Sequence, residues 1–107
     1  MAERVTGPRL TFDLSADNDG SPVLRLVGEL DITNVRSVDE LVQPVIRASP
    51  SRLVVDVSGL QFVDSSGIAL WVMWARQILD LEIREPSLFL RGVLRRMGLS
   101  ERLRVSP

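Results

Sequence analysis

The chain contains no cysteine, no histidine, no lysine and no tyrosine. Without cysteine there are neither disulfides nor thiolate metal ligands, which fits a reducing compartment. Without histidine the chain lacks the side chain most used for proton transfer near neutral pH, and the commonest metal ligand. Without lysine there is no Schiff-base amine and no P-loop lysine to meet a phosphate; all 13 basic residues are arginine. Catalysis would have to rest on Asp, Glu, Ser, Thr and Arg, which favours a binding module over an enzyme. No apolar run approaches the roughly 20 residues of a membrane span. Met1-Ala2-Glu3-Arg4 has neither the basic start nor the apolar stretch of a secretory signal. A cytoplasmic protein is expected.

What is present suits one small globular domain spanning 1–107, with 1–8 and 106–107 as flexible ends. Apolar residues make up 45% and charged residues 25% of 107 residues, ordinary values for a chain with a core. The net charge of −1 gives no footprint for nucleic acid or a membrane surface. The charge is unevenly placed, however. Residues 1–64 carry 10 acids and 6 arginines, whereas residues 65–107 carry 4 acids and 7 arginines. The basic part lies mostly in Arg84, Arg91, Arg95, Arg96, Arg102 and Arg104. It reads either as a solvated helix face or as a docking surface for acidic groups.

Leu10, Phe12 and Leu14 alternate with polar residues, a strand period. The turn-forming stretch Ala16-Asp17-Asn18-Asp19-Gly20-Ser21-Pro22 then leads to a second strand from Val23 to Val27, giving a hairpin. Helix-start residues Asp31 to Asn34 precede Val38, Leu41, Val42, Val45 and Ile46, which share one helical face. Pro44 predicts a kink, or a break near Gln43, because proline inside a helix costs about 3 kcal/mol. The run Leu53 to Val57 suits a central strand buried on both faces. A loop from Ser58 to Asp64, a helix from about Gly67 to Leu79, a strand at Leu81–Arg84 and a third helix opened by Pro86-Ser87 and closed by Gly98 follow. A last strand falls at Leu103–Val105. Strands alternating with helices after a hairpin predict an α/β fold with a mixed, mostly parallel sheet of four to five strands and helices mainly on one face.

Asp64-Ser65-Ser66-Gly67 lies between the buried strand and the second helix, so it forms a helix N-terminus. In open α/β sheets, the carboxyl ends of the strands are where ligands and partners bind. The helix that follows is apolar all round from Gly67 to Ala75, including Trp71 and Trp74. Such a helix is either buried on every side or covered by a partner or a second copy of the chain.

Several motifs in order resemble the bacterial STAS domains that act as anti-sigma factor antagonists. They are Val27-Gly28-Glu29-Leu30-Asp31, the valine-rich strand ending Asp56-Val57-Ser58-Gly59-Leu60, Phe62-Val63-Asp64-Ser65-Ser66-Gly67, and Pro86-Ser87 followed by Val93-Leu94-Arg95-Arg96-Met97-Gly98-Leu99. The resemblance implies the STAS fold over residues 9–105. It also implies that Ser65 is phosphorylated by the partner, an anti-sigma factor with serine kinase activity. The unphosphorylated chain would bind that factor and free a sigma factor, and a phosphoserine phosphatase would reset the switch. Asp31, Asp64, Ser65, Ser66 and Gly67 would form the partner-binding surface. No cofactor, metal or direct nucleic-acid contact is implied, and a homodimer through the apolar second helix is compatible with the pattern. The segment Ile78-Leu79-Asp80-Leu81 is shorter than is usual in the family, so the second helix is expected to end early or the next strand to be displaced. The alternative is an unswitched STAS scaffold or adaptor subunit in a signalling or lipid-transport assembly. A serine hydrolase is disfavoured because the Gly-x-Ser-x-Gly elbow and a histidine base are both absent. Asp31, Asp56 and Asp64 are acids that could in principle meet Mg²⁺, but solvated or capping roles suit them better.

Overall fold

The computed structural model of the chain describes residues 3–99 and 101–107. Its strands are β1 (Glu3–Thr6), β2 (Leu10–Ala16), β3 (Pro22–Leu30), β4 (Leu53–Val63), β5 (Leu81–Arg84) and β6 (Arg104–Ser106). The helices are α1 (Val35–Arg47), α2 (Ser65–Gln77) and α3 (Leu88–Arg96). The strands lie in the order β1-β2-β3-β4-β5-β6. β1, β2 and β3 pair antiparallel, and β3 through β6 pair parallel. The expected α/β architecture therefore holds, with one correction: the sheet has six strands rather than four to five. The added one is β1, a short edge strand whose Val5 is exposed, so burial leaves little trace of it in the sequence.

The pleat sorts the residues of each strand. Leu10, Phe12, Leu14, Leu24, Leu26, Leu53, Val55, Val57, Leu81 and Ile83 turn to one face. There they meet Val38, Val42 and Ile46 of α1, Trp71 and Trp74 of α2, and Leu90 and Leu94 of α3 in one cluster. All three helices thus cover a single face, as expected. The opposite face carries a cross-strand row in which charges alternate in sign: Arg4, Asp13, Arg25, Asp56 and Arg84 are register neighbours on five successive strands.

Three local expectations are corrected. The Ser58–Asp64 stretch is not a loop up to its end, because β4 runs on to Val63, paired with Val27–Leu30 across two register shifts. Gly28 permits this irregularity. Its φ is +112°, and a Cβ there would run into the Arg9 carbonyl oxygen, which instead accepts from the Glu29 N–H at 2.8 Å. α1 is not broken at Gln43 but continues through Pro44 to Arg47. Pro44 lies on the exposed side of the helix, so the carbonyl it leaves unpaired, on exposed Glu40, can turn to water. Finally, α2 ends at Gln77 rather than about Leu79, the early end that the short connection implied, and β5 is not displaced: it pairs along β4 from Leu53↔Leu81 to Asp56↔Arg84.

At the far end of the sheet from the helix starts, Glu82 of β5 is 3% exposed and sits among three arginines. Its carboxylate pairs with Arg52 at 2.8 Å, Arg84 at 3.0 Å and Arg104 at 2.8 Å, and accepts from the Ser106 hydroxyl at 2.8 Å. Arg52 and Arg84 each also reach Asp17 of the β2–β3 turn at 2.9 Å. Burial pushes the Glu82 carboxyl up, but the hydrogen bonds and charges around it outweigh this and hold it below its ordinary value. Arg84 and Arg104, read from the sequence as part of a basic surface, are thus already paired with acids of the chain.

Candidate partner-binding site

The parallel strands β3, β4 and β5 all end at the same edge, and the loop Asp64-Ser65-Ser66-Gly67 opens α2 there. Asp64 is the N-cap: its backbone is extended (φ −96°, ψ −175°), and its Oδ1 accepts from the Ser66 N–H at 2.9 Å and the Gly67 N–H at 3.2 Å. The Ser66 hydroxyl also donates to that oxygen. The other carboxylate oxygen accepts from the Ile32 N–H at 3.3 Å, while the Asp64 N–H donates to the Leu30 carbonyl at 3.2 Å. The β4–α2 turn is therefore stitched to the β3–α1 turn. The Ser66 hydroxyl, with the backbone amides, holds the Asp64 carboxyl below the usual carboxylate range.

Asp31 is 5% exposed. Its carboxylate accepts from the Thr33 hydroxyl and from the Thr33 N–H at 2.9 Å, and it pairs with Arg9 at 2.7 Å. These partners, the Thr33 hydroxyl first, keep it ionised to lower pH than a free Asp, although the nearby Asp64 charge works the other way. Asn34 bridges the same turn, accepting from the Asp31 N–H and donating to the Glu29 carbonyl, both at 2.9 Å. Gly67 is buried against Val63 and Leu30.

The five residues singled out from the sequence do meet at one edge, but they differ in what they offer. Asp31 and Asp64 are committed to the internal bonds just described, Ser66 to Asp64, and Gly67 to packing. Ser65, the first residue of α2, is exposed, and its hydroxyl has no hydrogen-bond partner among the described residues. Asp56 does not join them, because it lies in β4 on the helix-free face and accepts from the Ser58 N–H at 2.9 Å. Among the described residues no three acids are grouped as a metal site would require.

Sequence reading missed the apolar side chains around this loop. Ile32 after β3, Phe62 near the end of β4, and Leu88 and Phe89 in the first turn of α3 are 72%, 51%, 87% and 78% exposed. Phe62 and Phe89 line one shallow depression with Leu60, Val63, Ser87 and Leu90. Their signal was faint: they are apolar residues at or near the ends of strands and helices, where burial periodicity gives little guidance. The two tryptophans, by contrast, are core residues. Both are fully buried, and the Trp74 indole N–H donates to Asp39 at 2.8 Å.

A six-stranded mixed sheet with all helices on one face, and an exposed serine opening the helix after the central strand, defines a small α/β domain with an exposed loop at the carboxyl edge of its sheet. The chain belongs to the STAS domain family: the family model described as "Mlab, STAS domain" matches residues 14–105. It is similar to the anti-sigma-F factor antagonist RsfB of Mycobacterium tuberculosis, with 30% identity over 63 residues. That stretch is 59% of this chain and 52% of the relative, so it spans about half the length of the curated protein it matches. The fold is that of an anti-sigma factor antagonist from Mycobacterium paratuberculosis, with a TM-score of 0.84 at 21% identity over 96% of this chain and 91% of the other. The unphosphorylated form of the Bacillus antagonist SpoIIAA superposes with a TM-score of 0.74 at 25% identity, over 90% of this chain and 88% of that one. No described helix is long and apolar enough to cross a membrane.

Proposed function

We propose that the chain is an anti-sigma factor antagonist that binds an anti-sigma factor with serine kinase activity, releases a sigma factor by doing so, and is switched off when that kinase phosphorylates Ser65. A phosphoserine phosphatase would restore the binding form. The observation that carries this reading is the division of labour in the loop: Asp64 caps the helix and holds Ser66, so the Ser65 hydroxyl is left exposed and unengaged. The likeness to RsfB and to SpoIIAA, a protein solved in both phosphorylated and unphosphorylated forms, supports the same reading.

The physics of a phosphate at this position is favourable to a switch. It adds about −1.5 to −2 charges. The start of a helix tolerates an anion, so folding is spared. A partner seated over Ile32, Phe62 and Phe89 would instead have to strip water from a dianion next to the Asp64 carboxylate. A loss of about 2.8 kcal/mol is enough to weaken binding a hundredfold.

The test combines mass spectrometry and calorimetry. The chain is incubated with kinase-type anti-sigma factors and ATP, the phosphate is located, and binding of Ser65→Ala and Ser65→Glu is measured. Ser65→Ala should bind and resist release by ATP, while Ser65→Glu should bind at least tenfold more weakly. Equal affinity for the two variants would refute the switch. A complex that survives ATP treatment with Ser65 unmodified would point to the unswitched adaptor.

A further inference from the structure

A groove of about 340 Å³ runs along the outer side of α2, lined by Ser65, Ile68, Ala69, Val72, Met73, Arg76, Met97 and Leu99. The α2 members recur every three to four residues and so form a single stripe. From Ser65 to Arg76 it extends over three turns, about 16 Å. Its middle is apolar, with Met73 and Met97 42% and 52% exposed. Thioether side chains are adaptable, which suits a surface that closes on an inserted helix. One end is the free Ser65 hydroxyl. The other is Arg76, which is exposed and has no carboxylate within ion-pair distance among the described residues.

Of the residues lining the groove, Arg76 alone is charged. Arg91, Arg95, Arg96 and Arg102, on α3 and just beyond it, likewise make no ion pair among the described residues, whereas Arg52, Arg84 and Arg104 are consumed by acids of the chain. The basic surplus of the second half of the sequence is therefore left on the helical side of the molecule. A second copy of the chain fits the groove poorly. Antiparallel packing of α2 on α2 would set Arg76 against the positive N-terminal end of the facing helix.

From these observations we infer that the α2 groove receives an amphipathic helix of a partner protein, with apolar residues on its buried stripe and carboxylates placed over Arg76. The mode is helix-in-groove recognition, read at i, i+4 and i+7. This deepens the proposed function, because Ser65 closes one end of the groove. Occupancy of the groove does not itself require phosphate.

The experiment therefore uses no kinase and no ATP. The isotopically labelled full chain is titrated, with amide chemical shifts as readout, against two helix-stapled peptides of about 14 residues with the same apolar stripe. One carries glutamates on the flank that meets Arg76, the other lysines. The acidic peptide should move the amides of Ala69, Val72, Met73, Arg76 and Met97 and bind about tenfold more tightly than the basic one. Met73→Glu should abolish binding, and Arg76→Glu should reverse the preference between the peptides. Each variant is first checked for an unchanged fold by its spectrum. The inference is overturned if neither peptide moves these amides at millimolar concentration, if the preference survives Arg76→Glu, or if the same amides shift with protein concentration alone, which would make a second copy the occupant. Failure of the Ser65 switch with groove binding intact, or the reverse, separates this inference from the proposed function.

Discussion

Gly67→Ala sets two known effects against each other. In an open helix the substitution would stabilise by about 1 kcal/mol, because glycine is a poor helix former. At this site an ideal Cβ would lie 2.5 Å from Val63 Cγ2, and 2.9 and 3.0 Å from Leu30 Cδ2 and Cγ. Carbon atoms in contact normally sit about 3.5–4.0 Å apart. Leu30 is fully buried and cannot swing away, and Val63 is stiff at χ1. Overpacking of this kind costs roughly 1–3 kcal/mol, and with two neighbours struck at once the upper part of that range applies. The net expectation is a loss of about 1–2 kcal/mol, or a Tm lower by about 4–10 °C. Urea unfolding followed by tryptophan fluorescence measures it directly, since Trp71 and Trp74 are both fully buried. The midpoint should fall with an unchanged slope. Adding Val63→Ala removes one clashing methyl, so the double variant should be more stable than the sum of the single losses by about 1 kcal/mol. A Gly67→Ala midpoint equal to or above the parent's would show that the loop relaxes freely, and the packing account of this glycine would be wrong.

Trp74→Phe should cost about 1 kcal/mol more than Trp71→Phe in the same assay, because the first breaks a bond to Asp39 while the Trp71 indole N–H has no partner to lose among the described residues. Glu82→Gln should destabilise by about 2 kcal/mol, less than fully buried pairs show, because the three arginines around it retain some water; chemical denaturation at low salt reads this. The pH dependence follows from Asp31, Asp64 and Glu82, whose folded pKa values all lie below their ordinary ones. Between its folded and unfolded pKa, each group binds fewer protons when folded. Their contribution is thus complete above the unfolded values of about 4 and fades as pH falls through the folded ones. With no histidine in the chain, the urea midpoint should be flat from about pH 5.5 to 7 and drop below about pH 4. An inflection near pH 6 would contradict this assignment.

Much of the fold was legible because burial alternates cleanly where a strand has one covered face. Leu10, Phe12 and Leu14, and then Val38, Val42 and Ile46, announce a strand and a helix at their own periods. The second half of β4 was not legible. Ser58-Gly59-Leu60-Gln61 has loop chemistry and becomes strand only because β3 extends alongside it through the irregularity at Gly28. The candidate site was legible as a position in sequence, but the bonds within it were not. That Asp64 rather than Ser65 closes the helix depends on side-chain geometry, and the Arg9–Asp31 pair joins residues that no local pattern connects. The arginines show the same limit. The charge distribution marks a basic surplus in residues 65–107, but only the tertiary structure tells which members are already matched to Asp17, Asp80 and Glu82.

The uncovered side of the sheet has a bearing on how the strands find their places. A shift of β2 along β3 by two residues would keep every side chain on its proper side and still set apolar Leu10, Phe12 or Leu14 beside leucine, so the core alone distinguishes such slips weakly. Asp13 and Arg25 remove that ambiguity, since a two-residue slip in either direction sets each of them opposite an uncharged residue and forgoes roughly 0.2–1 kcal/mol per opposed pair. The charges facing water thus act as a vernier for the assembly of the hairpin, and neutralising them would first produce misaligned chains rather than weaker ones.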